Sequence, residues 1–367
     1  MNNQEFQMQE GEEVLTEQQV QTLQNKCSAC GAGMVFDIET GNLKCGHCGN
    51  MQELQDNEVV QRRQITNDLI NSHEKWTEGK VFACSNCGAK EVLDNKEIAR
   101  KCSFCGSAKI ASIDELPGIK PDSVIPFQIT EQTAQARFRK WIKSRWLAPS
   151  TFKRSDVKER MNKIYTPCWS FTAMTQNLYR GTLGRTVTIQ TRNGTRTSVR
   201  WFRVNGQINQ AYTDHFIQGG QRISSRSFNG LKPFNLQLIR VYRQEFLSGI
   251  IAEHYTKTLE ACFNEFSNFV KQDIRRRIIR KHMADQVQHL DIRTSFLERK
   301  FNYVLLPIYI SNYNYKGKLY NFYINGASGK VVGRYPRSAI RILGIVLGTI
   351  LIVGGIAAGL WFGGILG

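Results

Sequence analysis

Thr186–Val204 reads TVTIQTRNGTRTSVRWFRV, β-branched and aromatic residues alternating with polar ones on both sides of Asn193-Gly194. Asn-Gly accepts φ > 0 at the two central turn positions, and the twist of that turn matches the flanking strands, so the stretch predicts a β-hairpin. Arg192, Arg196, Arg200 and Arg203 decorate it. They could grip phosphates, and exposed strands also carry cations simply to discourage edge-to-edge pairing.

Reading outward, strands are expected at Gln286–Arg293, Tyr303–Ile310 and Leu319–Ile324, the last two joined by Asn314-Tyr-Lys-Gly317. Thr130-Glu-Gln-Thr begins a helix that puts Phe138, Trp141, Ile142 and Trp146 on one side and stops at Pro149. Arg137, Arg139, Lys140, Lys143 and Arg145 crowd its other faces. From Arg137 to Lys163 there are ten basic and two acidic residues, a candidate surface for an anionic partner. A long helix is expected from about Gln244 to Lys281, with Ile251, Tyr255, Leu259, Cys262, Phe266, Val270, Ile274 and Ile278 at steps of three and four. That spacing makes Cys262 a core residue, and Arg275-Arg276-Arg277, Arg280 and Lys281 complement the dipole at the helix end. Residues 130–336 thus read as an α+β body with an antiparallel sheet.

Eight of the ten cysteines form four pairs: Cys27/Cys30, Cys45/Cys48, Cys84/Cys87 and Cys102/Cys105. Within each half 14 residues separate the pairs, and the second half repeats the first at an offset of 57. This is close to the C-x2-C-x15-20-C-x2-C zinc pattern. Each pair is followed by glycine (Gly31, Gly49, Gly88, Gly106), which can take φ > 0 and aim backbone amides at the thiolates. Four thiolates complete the tetrahedral shell of zinc and leave no open position, so such sites are structural. Two zinc ions in two ribbons, 26–52 and 80–112, are expected. Disulfides and an iron–sulfur cluster are the rivals, and spacing alone leaves a crossed assignment of the pairs open. His47, between Cys45 and Cys48, should face solvent. An acidic tail (1–25), a helical spacer (53–79) and a Pro-punctuated linker (113–129) separate these parts.

Ile342–Leu366 holds 25 residues without a charge. As a helix this is about 37 Å, enough for ~30 Å of hydrocarbon, so a transmembrane anchor from Ile342 to Leu366 is expected. Arg334, Arg337 and Arg341 precede it and no acidic residue follows Glu298, which places the N-terminal bulk in the cytoplasm of a single-pass cell-membrane protein. Gly344/Gly348 and Gly355/Gly359/Gly363 form rows that could self-associate. The net charge of +18 adds affinity for anionic lipid head groups or nucleic acid.

Pro121-Asp122 with Ile125-Pro126-Phe127, Trp146-Leu-Ala-Pro149, Tyr165-Thr-Pro-Cys-Trp169, Leu231-Lys-Pro-Phe234, Leu247-Ser-Gly249, Leu305-Leu-Pro307 and Asn325-Gly326 with Gly329-Lys330 resemble a family of bacterial membrane-anchored proteins. Its members carry zinc ribbons of the transcription-factor-IIB type and are often labelled primosomal protein N′ (replication factor Y) or helicase-like. The family's knuckles have Pro after the first cysteine, where Ser28, Gly46, Ser85 and Ser103 stand here. The resemblance implies two ribbons, an α+β body, membrane attachment and, from association with envelope-stress proteins, a scaffold role.

A nucleotide-driven motor is excluded by motif: Gly79-Lys80, Gly317-Lys318 and Gly329-Lys330 are followed by Val, Leu and Val, where a P-loop needs Ser or Thr. His73, His215, His254, His282 and His289 show no catalytic spacing. The chain therefore reads as a non-enzymatic, tail-anchored zinc-ribbon adaptor that docks a protein partner at the membrane. The alternative is a membrane-tethered nucleic-acid-binding protein without ATPase activity.

Overall fold

The computed structural model describes residues 26–54, 58–66, 75–76, 80–85, 90–93, 102, 104, 110–113, 116–154, 161–191, 194–248 and 250–362. An N-terminal ribbon is built from β1 (Met34–Asp37), β2 (Asn42–Cys45) and β3 (Met51–Gln52), all antiparallel. Alternation turns Met34, Phe36, Leu43 and Cys45 inward, where all four are buried. Phe36 also joins the ribbon to the body: its ring lies 5.4 Å from Phe246, and its N–H donates to the Ser248 carbonyl at 3.3 Å.

The spacer expected to be helical contains instead β4 (Arg63–Gln64), which pairs with a body strand at Phe301 and Lys300, and β5 (Lys75–Trp76). Ile65, within that spacer, is buried, with its N–H donating to the Arg299 carbonyl at 2.9 Å. β6 (Lys80–Cys84), β7 (Lys90–Leu93) and β8 (Ile110–Ile113) form the second cysteine-bearing unit, and β9 (Leu116–Pro117) pairs with β5.

The body begins with β10 (Ser123–Val124), α1 (Glu131–Lys143) and α2 (Ser150–Arg154). The Thr130 hydroxyl caps α1 as expected, and Phe138 and Trp141 pack on Phe322. β11 (Met161–Thr191) and β12 (Gly194–Gln218) are the hairpin, 31 and 25 residues long, registered with Thr191 opposite Gly194. After α3 (Ser225–Leu231), β13 (Arg240–Val241) and β14 (Ile251–Glu253) comes α4 (Leu259–Lys281). β15 (Gln286–Tyr315, 30 residues), β16 (Lys318–Asn325), β17 (Val331–Gly333) and α5 (Ala339–Phe362) complete the chain.

β12, β11 and β15 form a three-stranded antiparallel blade, about 100 Å of extended chain along β11. Its proximal half curls into the core sheet and its distal half projects beyond it. α4 covers one face, burying Leu259, Cys262, Phe266, Val270, Ile274 and Ile278, with the Phe266 ring stacked on Phe171 at 5.3 Å.

Two prolines sit in these long central strands, where a missing N–H ordinarily breaks the ladder. On one edge β11 changes partner from β14, at Ile164 and Tyr165, to β12, from Cys168 onward, and Pro167 falls between them. Its carbonyl, on the same edge as the absent N–H, accepts from Gly219 at 2.9 Å. On β15, Pro307 falls between pairing with β10, at Val304 and Leu305, and with β16, from Ile308. Each proline marks the gap between two neighbours, so no ladder donor is lost.

Three expectations are corrected. The α+β class gives way to a strand-dominated fold, 44% strand, built on a curled half-barrel sheet with few helices. The long helix begins at Leu259 rather than Gln244, because Ile251–Glu253 is drawn into the sheet between β11 and β7. The transmembrane segment is not supported: among the described residues no helix is long and apolar enough to cross a membrane. Arg341 lies inside α5 and donates to the carbonyls of Trp146 and Ala148 and to Ser150 Oγ, which ties the first turns to the body. The single-pass cell-membrane placement, with the bulk cytoplasmic, falls with the transmembrane segment; Leu366 and Gly363 lie outside the described residues.

Candidate metal centre

Cys27, Cys30, Cys45 and Cys48 converge, as their spacing predicted, with all four sulfurs within 4.8 Å of one another. Cys27 Sγ is 3.5 Å from Cys48 Sγ, and Cys30 Sγ is 3.5 Å from Cys45 Sγ. Sulfurs bound at ~2.3 Å in a tetrahedron stand about 3.8 Å apart, so the cluster fits a four-thiolate metal ion with small relaxation.

The two knuckles are built alike. Gly31 N–H donates to the Cys27 carbonyl at 2.8 Å and Gly49 N–H to the Cys45 carbonyl at 3.0 Å. Cys27 N–H donates to Ala32 and Cys45 N–H to Asn50, at 2.7 and 2.8 Å. Gly31 and Gly49 adopt φ of 70° and 75°, the left-handed conformation their identity foretold. Asn50 Nδ2 donates to Cys27 Sγ at 3.6 Å, an outer contact that orients a ligand. His47 is exposed, outside the cluster.

Electrostatics inside the cluster are lopsided. Burial works to raise the Cys27 thiol, yet the backbone N–H groups of Cys30 and Ala29, helped by Cys48 and Asn50, bring it down to about 6. The amides of Cys48 and His47 lower Cys45 likewise. At Cys30 the Ala32 amide pulls downward, but the sulfurs of Cys48 and Cys45 outweigh it and the thiol rises to about 12. The surroundings thus favour the thiolate at Cys27 and Cys45, and a bound dication favours it at all four.

Of the second expected set, Cys84 and Cys102 are buried in one cluster with Phe104, Ile125 and Cys168, whereas Cys87 and Cys105 lie outside the described residues. The four-cysteine group at Cys27–Cys48 is the one metal-ligating cluster among the described residues. Cys262 is fully buried, and burial raises its thiol to about 12; Cys168 is buried and raised too. Both are core thiols, as expected for Cys262.

The expected anionic-partner surface on α1 is only partly available. Arg137, Arg139, Lys140 and Lys143 are exposed, while Arg145 folds back over the Trp141 ring at 4.7 Å. A second basic region, of which the sequence had singled out only Arg203, lies at the distal end of the blade, where Arg180, Thr182, Arg203, Asn205 and His289 line a concavity of about 480 Å³. Strand alternation was the available signal, but it becomes readable only once three distant segments are paired.

No family model matches the chain, and no solved structure matches it. Over 338 residues it is 29% identical to the uncharacterized protein YdjG of Bacillus subtilis (strain 168), covering 89% of this chain and 95% of that one. The similarity therefore spans ribbon and blade together.

Proposed function

We propose that this chain is a non-enzymatic scaffold whose N-terminal ribbon is held by a structural zinc ion and presents a docking face to a protein partner. The observation that carries the reading is the closed four-sulfur cluster, which leaves a bound ion no position for substrate or water. Zinc fits four thiolates because it has no d-electron geometric preference and no redox chemistry to manage. A second zinc ion is held by Cys84, Cys87, Cys102 and Cys105; the burial of Cys84 and Cys102 in one cluster supports this. The ribbon is seated on the body through the Phe36 and Phe246 rings. When bound, zinc supplies cross-linking of the two knuckles; positioning comes from the chain's own Gly31, Gly49 and Asn50.

The test is crosslinking in intact cells, wild type against Cys27→Ser with Cys48→Ser, followed by identification of lost neighbours. Loss of a specific polypeptide is expected. An unchanged set of neighbours contradicts the reading. A second reading, nucleic-acid binding, is favoured by the basic distal end of the blade.

A further inference from the structure

We propose that the open face of the distal blade, opposite α4, is a docking surface for single-stranded nucleic acid. By register the open face carries Arg180, Arg203 and Arg293 with His289, against Asp291, while Arg185, Arg196 and Arg200 stand on the side that α4 covers. All three open-face cations are arginine, whose planar fork matches phosphate bidentately.

Register orders the open face into rungs across β12, β11 and β15: Trp201–Gly184–Gln286, Arg203–Thr182–His289, Asn205–Arg180–Asp291 and Gln207–Leu178–Arg293. Successive rungs are about 6.8 Å apart, two residues of antiparallel strand. Arg203, His289, Arg180 and Arg293 thus run obliquely across three strands past the concavity. Among the described residues Arg203 and Arg293 have no carboxylate partner, and Arg180 reaches Asp291 only at 3.7 Å, a surface pair that a phosphate can displace.

The chemistry of the partner is set by Trp201. Its indole is 47% exposed and lies against Gly184, where a Cβ would come within 2.8 Å of two ring carbons. Glycine is what lets the indole settle against the sheet, half-exposed and beside Arg203 on the same face. Bases stack on such a platform irrespective of sequence. An acidic polypeptide offers nothing to stack, and a bilayer surface favours rings that project. This surface is independent of the ribbon, so its failure would leave the zinc-site reading standing.

The test uses the full chain, fluorescein-labelled oligothymidylate and oligouridylate, and anisotropy across a salt series, with phosphatidylserine vesicles and polyglutamate run in parallel. Salt-sensitive binding to the oligonucleotides is expected. Arg203→Gln with Arg293→Gln should reduce the magnitude of the log–log salt slope by about 1.4, two contacts at ~0.7 each for a single strand, and the Lys pair at these positions should keep it. Trp201→Ala should weaken binding about tenfold with the slope unchanged. As a measurement needing no variant, ultraviolet crosslinking of 5-iodouracil oligomers should label Trp201. No oligonucleotide binding, unchanged slopes, crosslinks elsewhere, or a response confined to vesicles or polyglutamate would overturn the proposal.

Discussion

The guanidinium of Arg185, on β11, donates to two carbonyls at the end of α4: Nη2 to His282 and Nε to Met283, each at 3.0 Å. The last carbonyls of a helix lack intrahelical partners, and Met283 turns the chain at φ 48°. One strand cation therefore supplies donors and a charge that suits the helix C-terminus.

Arg185→Ala should cost about 1 kcal/mol, discounted for exposure, and loosen the last turn of α4 ahead of the rest. Denaturant unfolding with amide exchange checks this. Protection at residues 278–284 equal to that of wild type would show the contact to be idle.

Removing the metal should unfold the ribbon and leave the blade intact, because Met34, Phe36, Leu43 and Cys45 are too small a core to hold 26–52 together. Exchange measured with and without chelator should show protection lost in 26–52 and retained in 161–191. Uniform retention in both would count against a folding role for the metal.

Phe36→Ala should cost about 3 kcal/mol and detach the ribbon from the body. In a double-mutant cycle with Phe246→Ala the coupling should be about 1 kcal/mol, as for a packed aromatic pair. Strict additivity would mean that the ribbon is held elsewhere.

His215 stacks on Phe269 at 4.0 Å; burial first, then the charge of Lys232, lowers its pKa from 6.5 to about 4, with Asp273 opposing. The folded state keeps the ring neutral, while the unfolded chain binds a proton from about 6.5 downward. Stability from this group is complete above pH 6.5 and is lost as pH falls toward 4. His254, lowered to about 4 chiefly by burial, acts in the same direction. The melting temperature should drop between pH 7 and 5, and His215→Gln should shrink the drop without abolishing it. An undiminished drop would place the titration elsewhere.

The metal centre was readable because its information is local: Cys-x-x-Cys pairs and the glycines after them fix knuckle geometry without help from the fold. The Asn193-Gly194 hairpin was readable for the same reason, but its length was not. Met174 and Leu178 are half exposed on the blade's open face, so apolar residues there do not mark a core side. β15 looked like separate pieces because polar Thr294, Ser295 and Lys300 interrupt its pattern, although it pairs with β11 from Gln286 to Ser311 with two register shifts. Ile251 and Tyr255 were in phase with the α4 stripe, and only pairing with β11 and β7 reveals a strand there. Of the basic surface only Arg203 stood out, among the hairpin cations, since Arg180 and Arg293 lie on segments more than 80 residues apart.

Native mass spectrometry of protein purified under reducing conditions decides the central claim. Zinc should be present, and Cys27→Ser with Cys48→Ser should remove one ion per chain while the blade stays folded. A wild-type chain carrying no metal, or an identical metal count in the variant, would contradict a metal-held ribbon.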